Sequence, residues 1–332
     1  MYKVVLTDYA WIDLTLEQEI LEKGGAELIA KHCSTESDVM AVTAEADAII
    51  TEYAPITRAV IFAAKKCKVI SMNAAGYDNV DVAAATEAKV MVTNVPDYCY
   101  EEVADHAMAL ILACARRVVN FCQNISCKIW DFKSTGQIKR IRGQTLGLIG
   151  FGGVSINVAR RAKPFGMRII AYDPYLPPEV FDQEGVSQVS LEKLLTDSDF
   201  VSVHIPKTPE TVGLISEKQL GMMKPHSFLI NTSRGGIVDE TALNETLKCG
   251  RIEGAALDVL AVEPADFSNP LFELENAVIT PHCAFYSEDA MIEVRTRAAE
   301  QVLKVLTGEW PPNLVNLDLR ERTDLRAGIL ND

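Results

Sequence analysis

The chain has 332 residues, 48% of them hydrophobic and 23% charged, which is an ordinary globular composition at a length that favours two domains over one. Its formal net charge of −14, unbroken by any long basic run, would repel phosphate backbones and argues against nucleic acid or anionic membrane as partners. No apolar run approaches the ~18 residues of a spanning helix, and MYKVVLTDYAWIDL opens directly on a strand-like pattern without an export signal, so a soluble cytoplasmic protein is expected.

In chain order, KVVLTD reads as a strand, LEQEILEKGG as a helix and AELIA as a strand. A helix through Asp38, the strand ADAIITE, a helix around Ile61 to Lys66 and the strand KVISMN follow. Such alternation predicts a parallel sheet covered by helices. After NVPDYCY a second cycle opens with a helix from Glu102 to Cys122, in which Val103, Ala107, Leu110, Ile111 and Cys114 recur at helical spacing. It is long and apolar enough to serve as an interface helix. The runs QTLGLIG, RIIAYDP, DFVSVHIP, SFLINTS, GAALDV and AVITPH then read as strands of a second, doubly wound domain. A last long helix spans roughly Ser287 to Thr307 and belongs to neither cycle by sequence order. The charged tail after Asn316 is expected to be disordered. The eight cysteines form no CxxC pair; reduced thiols and no metal site are expected.

The stretch GFGGVS at 150–155 follows the strand LGLI and opens a helix. A glycine cluster alone also marks ordinary turns, but strand, turn, helix, strand and acid in succession describe a dinucleotide-binding loop. Gly150 allows the tight turn and Gly152 lets the backbone approach a pyrophosphate, with Gly153 and Val154 on the first helical amides. The third glycine position holds Ser155, a small side chain able to bond a backbone group or a phosphate oxygen. Asp173 lies 23 residues beyond Gly150, close to the ~20 expected of a carboxylate on the adenosine ribose. Pro174, Tyr175 and Leu176 after it offer no arginine for a 2′-phosphate, so NAD is the expected cofactor.

Three later strands end in polar residues, as NTSRGGIVDE, GAALDVLAVEP and VITPHCAFYS. With Asn231–Gly236, Asp258, Glu263-Pro264, Pro281-His282 and the earlier AGYDNVD at 75–81, the chain resembles the D-isomer-specific 2-hydroxyacid dehydrogenase family over nearly its full length. The resemblance implies Arg234, Glu263 and His282 as the catalytic set, acting on a small 2-keto or 2-hydroxy acid. It implies cofactor contacts from Thr232, Ser233, Arg234 and His282, with Asp258 on the nicotinamide carboxamide and the HIP segment, His204 and Pro206, along the nicotinamide ribose. The loop Asn73 to Asp78 resembles the family's carboxylate-binding loop, with the amides around Ala75 and Gly76 receiving the anion. Phe285 and Tyr286 would form an aromatic wall for an apolar substrate side chain.

The chemistry agrees with those roles. Reducing a 2-keto acid needs hydride at C2, a proton for the new alcohol and a cation that orients the carboxylate. Arg234 has the planar fork for two oxygens. His282 can carry the proton, and Glu263 on its other ring nitrogen would fix the tautomer and favour the protonated form. The other histidines, His32, His106, His204 and His226, are not expected to catalyse.

The resemblance further implies an α/β fold of two doubly wound parallel-sheet domains. Residues 1–100 with 287–332 would form a flavodoxin-like substrate domain, and 101–286 a Rossmann NAD domain. The active site would lie in a cleft between them, with hinges near Tyr100 and Phe285 and a homodimer contact on the Glu102–Cys122 helix. Met72 stands where phosphoglycerate dehydrogenases of the family usually carry arginine, which weakens a phosphorylated substrate. NVPDYCYEEVADH, AYDPY and PHCAFYSED are more similar to the C-terminal-binding-protein-like branch. That likeness keeps open an NAD-sensing oligomeric scaffold beside the enzyme, and a phosphoglycerate- or hydroxypyruvate-type member is a further alternative. Formate oxidation ranks lower, because family formate dehydrogenases pair the histidine with glutamine where this chain has Glu263.

Overall fold

The computed structural model describes residues 1–328. The chain separates into two compact α/β units, one formed by Met1–Tyr98 with the segment from Ser287 onward, the other by Cys99–Tyr286.

The first unit is a five-stranded parallel sheet of β1 (Tyr2–Leu6), β2 (Ala26–Ala30), β3 (Ala48–Thr51), β4 (Val69–Met72) and β5 (Met91–Thr93), in the order β2-β1-β3-β4-β5. This is the flavodoxin-like order, and β3 and β4 are buried along their whole length, as a sheet covered on both faces requires. At three residues, β5 is too short to stand out as a periodic run. Ile49, Ile70 and Met72 point into one core cluster. The helix Glu288–Thr307 belongs to this unit: Ser71 Oγ donates to the Ala298 carbonyl at 3.1 Å. Ser287 caps its start by accepting from Ala290 N, and Gly308 ends it at φ 91°.

The expected disorder after Asn316 is corrected for the described residues. Leu314 bridges Thr93 in antiparallel sense and Val315 N donates to Val92 O at 2.8 Å. Asn316, buried, accepts from Val92 N at 2.9 Å and donates to Val90 O at 2.9 Å. A 3₁₀ turn, Leu317–Glu321, then buries Leu319 completely. Further on, Arg326 N donates to Lys89 O at 3.3 Å and its Nη1 to Ala64 O at 2.8 Å, contacts that polar composition does not reveal. Residues 329–332 of that tail lie outside the described residues.

The second unit is a seven-stranded parallel sheet of β6 (Thr145–Ile149), β7 (Arg168–Tyr172), β8 (Ser187–Gln188), β9 (Phe200–Val203), β10 (Phe228–Asn231), β11 (Gly254–Leu257) and β12 (Ala277–Ile279). Its order, β12-β11-β10-β9-β6-β7-β8, is that of a dinucleotide-binding sheet with one added edge strand. The chain reverses direction of travel between β6 and β9, the place where ligands meet such sheets.

The single helix expected over Glu102–Cys122 is two helices, Tyr100–Arg116 and Val118–Ser126. They break at Arg117, which takes the left-handed conformation at φ 54°. Arg117 is held there by tertiary partners: its guanidinium sits 5.1 Å over the Phe228 ring and pairs with Glu253. The apolar face of the first helix, including Ala107, Leu110, Ile111 and Cys114, is spent in the core of its own unit. No residue of the second helix is buried. Among the described residues no helix is long and apolar enough to cross a membrane.

Candidate active site

The glycine loop leaves the C-terminal end of β6 at the reversal point. Gly150 has φ 84°, donates to Tyr172 O at 2.8 Å, and a Cβ on it would lie 2.5 Å from the His204 carbonyl oxygen. Only glycine fits both the left-handed backbone and the close approach. The helix Gly153–Ala162 begins without a side-chain cap, so its first amides have no side-chain acceptor of their own. A Cβ on Gly152 would meet nothing within 4 Å, which leaves room for a ligand at those amides.

Ser155 is fully buried and its hydroxyl donates to the Gly150 carbonyl at 2.7 Å. The residue in the third glycine position therefore ties the turn to the helix. Close packing falls to Gly153, where a Cβ would overlap the Tyr100 ring of the helix alongside. Sequence reasoning could not have found this, because the neighbour is 53 residues away in the chain. Asp173, one residue past β7, accepts from Phe151 N at 3.0 Å and Tyr175 N at 3.0 Å, which places its carboxylate beside the loop.

The residues after β10, β11 and β12 assemble next to each other. Asn231 organises the first segment: its Oδ1 accepts from Ser233 N and Oγ, and its Nδ2 donates to Arg234 O at 3.0 Å. Arg234 Nη1 donates to Ser233 O at 2.8 Å. A Cβ on Gly235 would overlap the Leu260 carbonyl and lie 2.6 Å from Ala261 N, so the Arg234 segment and the Glu263 segment touch backbone to backbone.

Glu263 Oε1 accepts from Leu260 N at 2.8 Å, and its Oε2 lies 2.5 Å from His282 Nδ1. That bond leaves Nε2 as the ring nitrogen turned away from the carboxylate. His282 itself is left-handed at φ 50°, uncommon for a non-glycine residue, and its N–H is held by Asp258 O at 2.8 Å. The Phe285 ring stands edge-on to the imidazole at 6.0 Å. Burial pushes the Glu263 carboxyl up, but hydrogen bonds from His282 and Leu260 N, with the His282 and Arg234 charges, outweigh it and hold the group below its ordinary 4.5.

Asp258 is buried, and its carboxylate pins the segment that presents the histidine. Oδ1 accepts from Thr280 Oγ1 at 2.6 Å and Cys283 N at 3.0 Å, and Oδ2 accepts from Ala284 N at 2.9 Å. His106 Nε2 bonds Thr280 Oγ1 at 3.0 Å, adding a residue that sequence reasoning set aside. His204 Nε2 lies 2.8 Å from Ser202 Oγ, and burial pushes its imidazole down to about 4, so it is neutral at neutral pH. Pro206 is exposed beyond it.

Thr232 Oγ1 is buried with no protein partner. Such a hydroxyl is costly unless a ligand or water completes it. Together with the space at Gly152 and the Asp173 carboxylate, it makes the residues present a fit for a dinucleotide.

In the first unit, the loop after β4 is tied down by Asn94 Nδ2 donating to Ala75 O at 2.7 Å and Val95 N to Ala74 O at 3.0 Å. Gly76 follows, half-buried, and Met72 is packed in the apolar core.

Residues 108–284 match the family described as D-isomer specific 2-hydroxyacid dehydrogenase, NAD binding domain. The chain is 44% identical over 269 residues to the glyoxylate reductase of Korarchaeum cryptofilum, covering 80% of this chain and 81% of that protein. It is 40% identical over 319 residues to the D-3-phosphoglycerate dehydrogenase of Methanocaldococcus jannaschii, covering 96% of this chain. The chain spans only 60% of the length of that dehydrogenase. Among solved structures, the D-lactate dehydrogenase of Aquifex aeolicus complexed with NAD and lactic acid superposes with a TM-score of 0.87 at 27% identity, covering 94% of this chain and 99% of that one.

Proposed function

This chain belongs to the D-isomer specific 2-hydroxyacid dehydrogenase family, and from that premise we propose that it interconverts a 2-keto acid and a D-2-hydroxy acid with NAD. The observation that carries the reading is the 2.5 Å pair of His282 and Glu263 on strand-end segments that abut Arg234's.

A nicotinamide bound there would supply the hydride in reduction and accept it in oxidation. The chain's own residues do the rest. Arg234 holds the substrate carboxylate and polarises the carbonyl through its planar fork. His282, held through Nδ1 by Glu263, gives a proton from Nε2 to the forming alcohol and recovers it in the reverse direction. Reduction needs the imidazole protonated and oxidation needs it neutral, so oxidation has the higher pH optimum. Gly150, Gly152, Gly153 and Val154 cradle the pyrophosphate, Asp173 reads the ribose, and Thr232, Ser233, His204, Pro206 and Asp258 attend the nicotinamide half. We assign NAD binding to the second unit, substrate binding to the first, and anion contact there to the Ala75 and Gly76 amides.

Met72, where a phosphate-reading arginine would stand, is buried in apolar core, which favours an unphosphorylated substrate over the phosphoglycerate reading that the relatives' names suggest. Phe285 beside His282 suits an apolar side chain. The test is a panel of pyruvate, hydroxypyruvate, glyoxylate, 4-methyl-2-oxopentanoate, phenylpyruvate and 3-phosphohydroxypyruvate with NADH and NADPH. Turnover of unphosphorylated acids with NADH is expected. No turnover of any acid would favour the NAD-sensing scaffold. In the same panel Asp173→Ala should shrink the preference for NADH, and an unchanged preference would mean that another group reads the ribose.

We also assign a cytoplasmic homodimer. The helix first suited to its interface spends its apolar face internally, whereas Val118, Ile125, Ile129, Trp130 and Phe132 are exposed on the segment that follows, Trp130 at 92%. A monomer by light scattering at micromolar concentration would contradict it.

A further inference from the structure

Behind the catalytic histidine, three ligand-type atoms of one unit converge. His106 Nε2, an Asp258 carboxylate oxygen and Cys283 Sγ all lie within 4.8 Å of one another. Asp258 Oδ1 is 3.5 Å from the His106 nitrogen and 3.6 Å from the Cys283 sulfur. With metal–ligand bonds of about 2.0–2.3 Å, the edges of a tetrahedral zinc site measure about 3.3–3.7 Å. Two of the three edges already have that length.

Within the cluster the thiol donates a weak bond to Asp258 Oδ1 at 3.6 Å. Oδ1 already accepts from the Thr280 hydroxyl at 2.6 Å and the Cys283 N–H at 3.0 Å, so the thiol is a third claimant on one oxygen. Sulfur, imidazole nitrogen and carboxylate oxygen form the mixed donor set of a borderline-soft cation. Magnesium and calcium take all-oxygen sets instead.

From this geometry we infer that His106, Asp258 and Cys283 form a binding site for Zn²⁺, with water as the fourth ligand. Binding requires three changes. The thiol loses its proton to solvent and becomes the thiolate ligand, and His106 carries its ring proton on Nδ1 so that Nε2 can coordinate. The Thr280 hydroxyl gives up its bond to Asp258 Oδ1. The backbone donors Cys283 N and Ala284 N can continue to hold the carboxylate.

The consequence for activity rests on the cofactor reading above. The carboxylate assigned to the nicotinamide would be engaged by the cation, and Cys283 is the residue after His282, so Zn²⁺ should compete with NADH and inhibit reversibly.

The site is tested without the cofactor. Zn²⁺ is titrated calorimetrically into the full chain and into Cys283→Ser and His106→Gln, and Co²⁺ is added in parallel while the absorption spectrum is recorded. Wild type should show a cobalt–thiolate charge-transfer band that Cys283→Ser lacks, and each variant should bind Zn²⁺ at least about tenfold more weakly, since even outer-shell partners cost that much. Equal Zn²⁺ affinity in all three proteins, or a charge-transfer band undiminished in Cys283→Ser, would overturn the site. Exposed Cys122, Cys127 and Cys249 are common to all three proteins and cancel in the comparison. NADH fluorescence then reads the consequence: Zn²⁺ should weaken NADH binding to wild type and not to Cys283→Ser. NADH binding that bound Zn²⁺ leaves unmoved overturns the inhibition and the Asp258 contact, and not the site.

Discussion

Replacing His282 by alanine should lower turnover of the best keto acid by about 10²–10⁴-fold, the usual contribution of a positioned general acid or base, while NADH still binds. The proposed role of proton carrier rests on Glu263, which holds Nδ1 at 2.5 Å and leaves Nε2 turned away from the carboxylate. A second variant guards against a folding artefact. The backbone at 282 is left-handed, φ 50°, a conformation asparagine tolerates better than alanine does. His282→Asn should therefore fold at least as well as His282→Ala and be equally slow. If the asparagine variant kept its turnover, the histidine would have no part in the chemistry. The Glu263 carboxyl also gives the sign of one pH effect. Glu263 is lowered on folding, so its contribution to stability is complete above its ordinary 4.5 and is lost as the pH falls through the depressed value.

Gly235→Ala is expected to do comparable damage without touching a reacting group. The new Cβ would fall on the Leu260 carbonyl and against Ala261 N, both main chain, so no side-chain rotation relieves the overlap. One of the two segments must move, and they carry Arg234 and Glu263. Overpacking of this kind costs about 1–3 kcal/mol of stability, and a displacement of about 1 Å at a catalytic group costs about a hundredfold in rate. Urea unfolding should report the first and steady-state kinetics the second, with NADH binding less affected than kcat/KM. Wild-type kinetics and an unchanged unfolding midpoint would show that the two segments are not in contact in solution.

Much of this site was legible in the sequence because parallel strands place their chemistry at one end. A buried strand reads as an apolar run, and whatever polar residue ends it lies at the ligand edge. That is why Gly150 and Asp173 could be named from pattern and spacing, whereas Arg234, Glu263 and His282 were named through the family resemblance of the segments that follow three such strands. What stayed illegible depends on neighbours remote in the chain. Arg117 breaks a helix of good periodicity because Phe228 and Glu253 hold it, and nothing local marks the break. Gly153 reads in the sequence as one of the first helical amides, and its closeness to the Tyr100 ring depends on a helix remote in the chain. Asp258 was read through its likeness to a family contact, and its hold on Thr280, Cys283 and Ala284 came from the fold alone. The strands β5 and β8 are two or three residues long and offer too little pattern to detect.

The pairing of Leu314, Val315 and Asn316 with β5 bears on how the protein is made. The sheet of residues 1–98 has a covering helix and an edge partner that are synthesised only after the whole of the second unit. The unit from Cys99 to Tyr286 is contiguous and can fold as it emerges, whereas the opening strands must wait nearly a whole chain length for Glu288–Thr307 and the segment that follows. During that interval Ile50 and Ser71, cross-strand partners on the face that Ala298 meets, lack their cover. The first unit is therefore the one whose completion waits on the synthesis of the other.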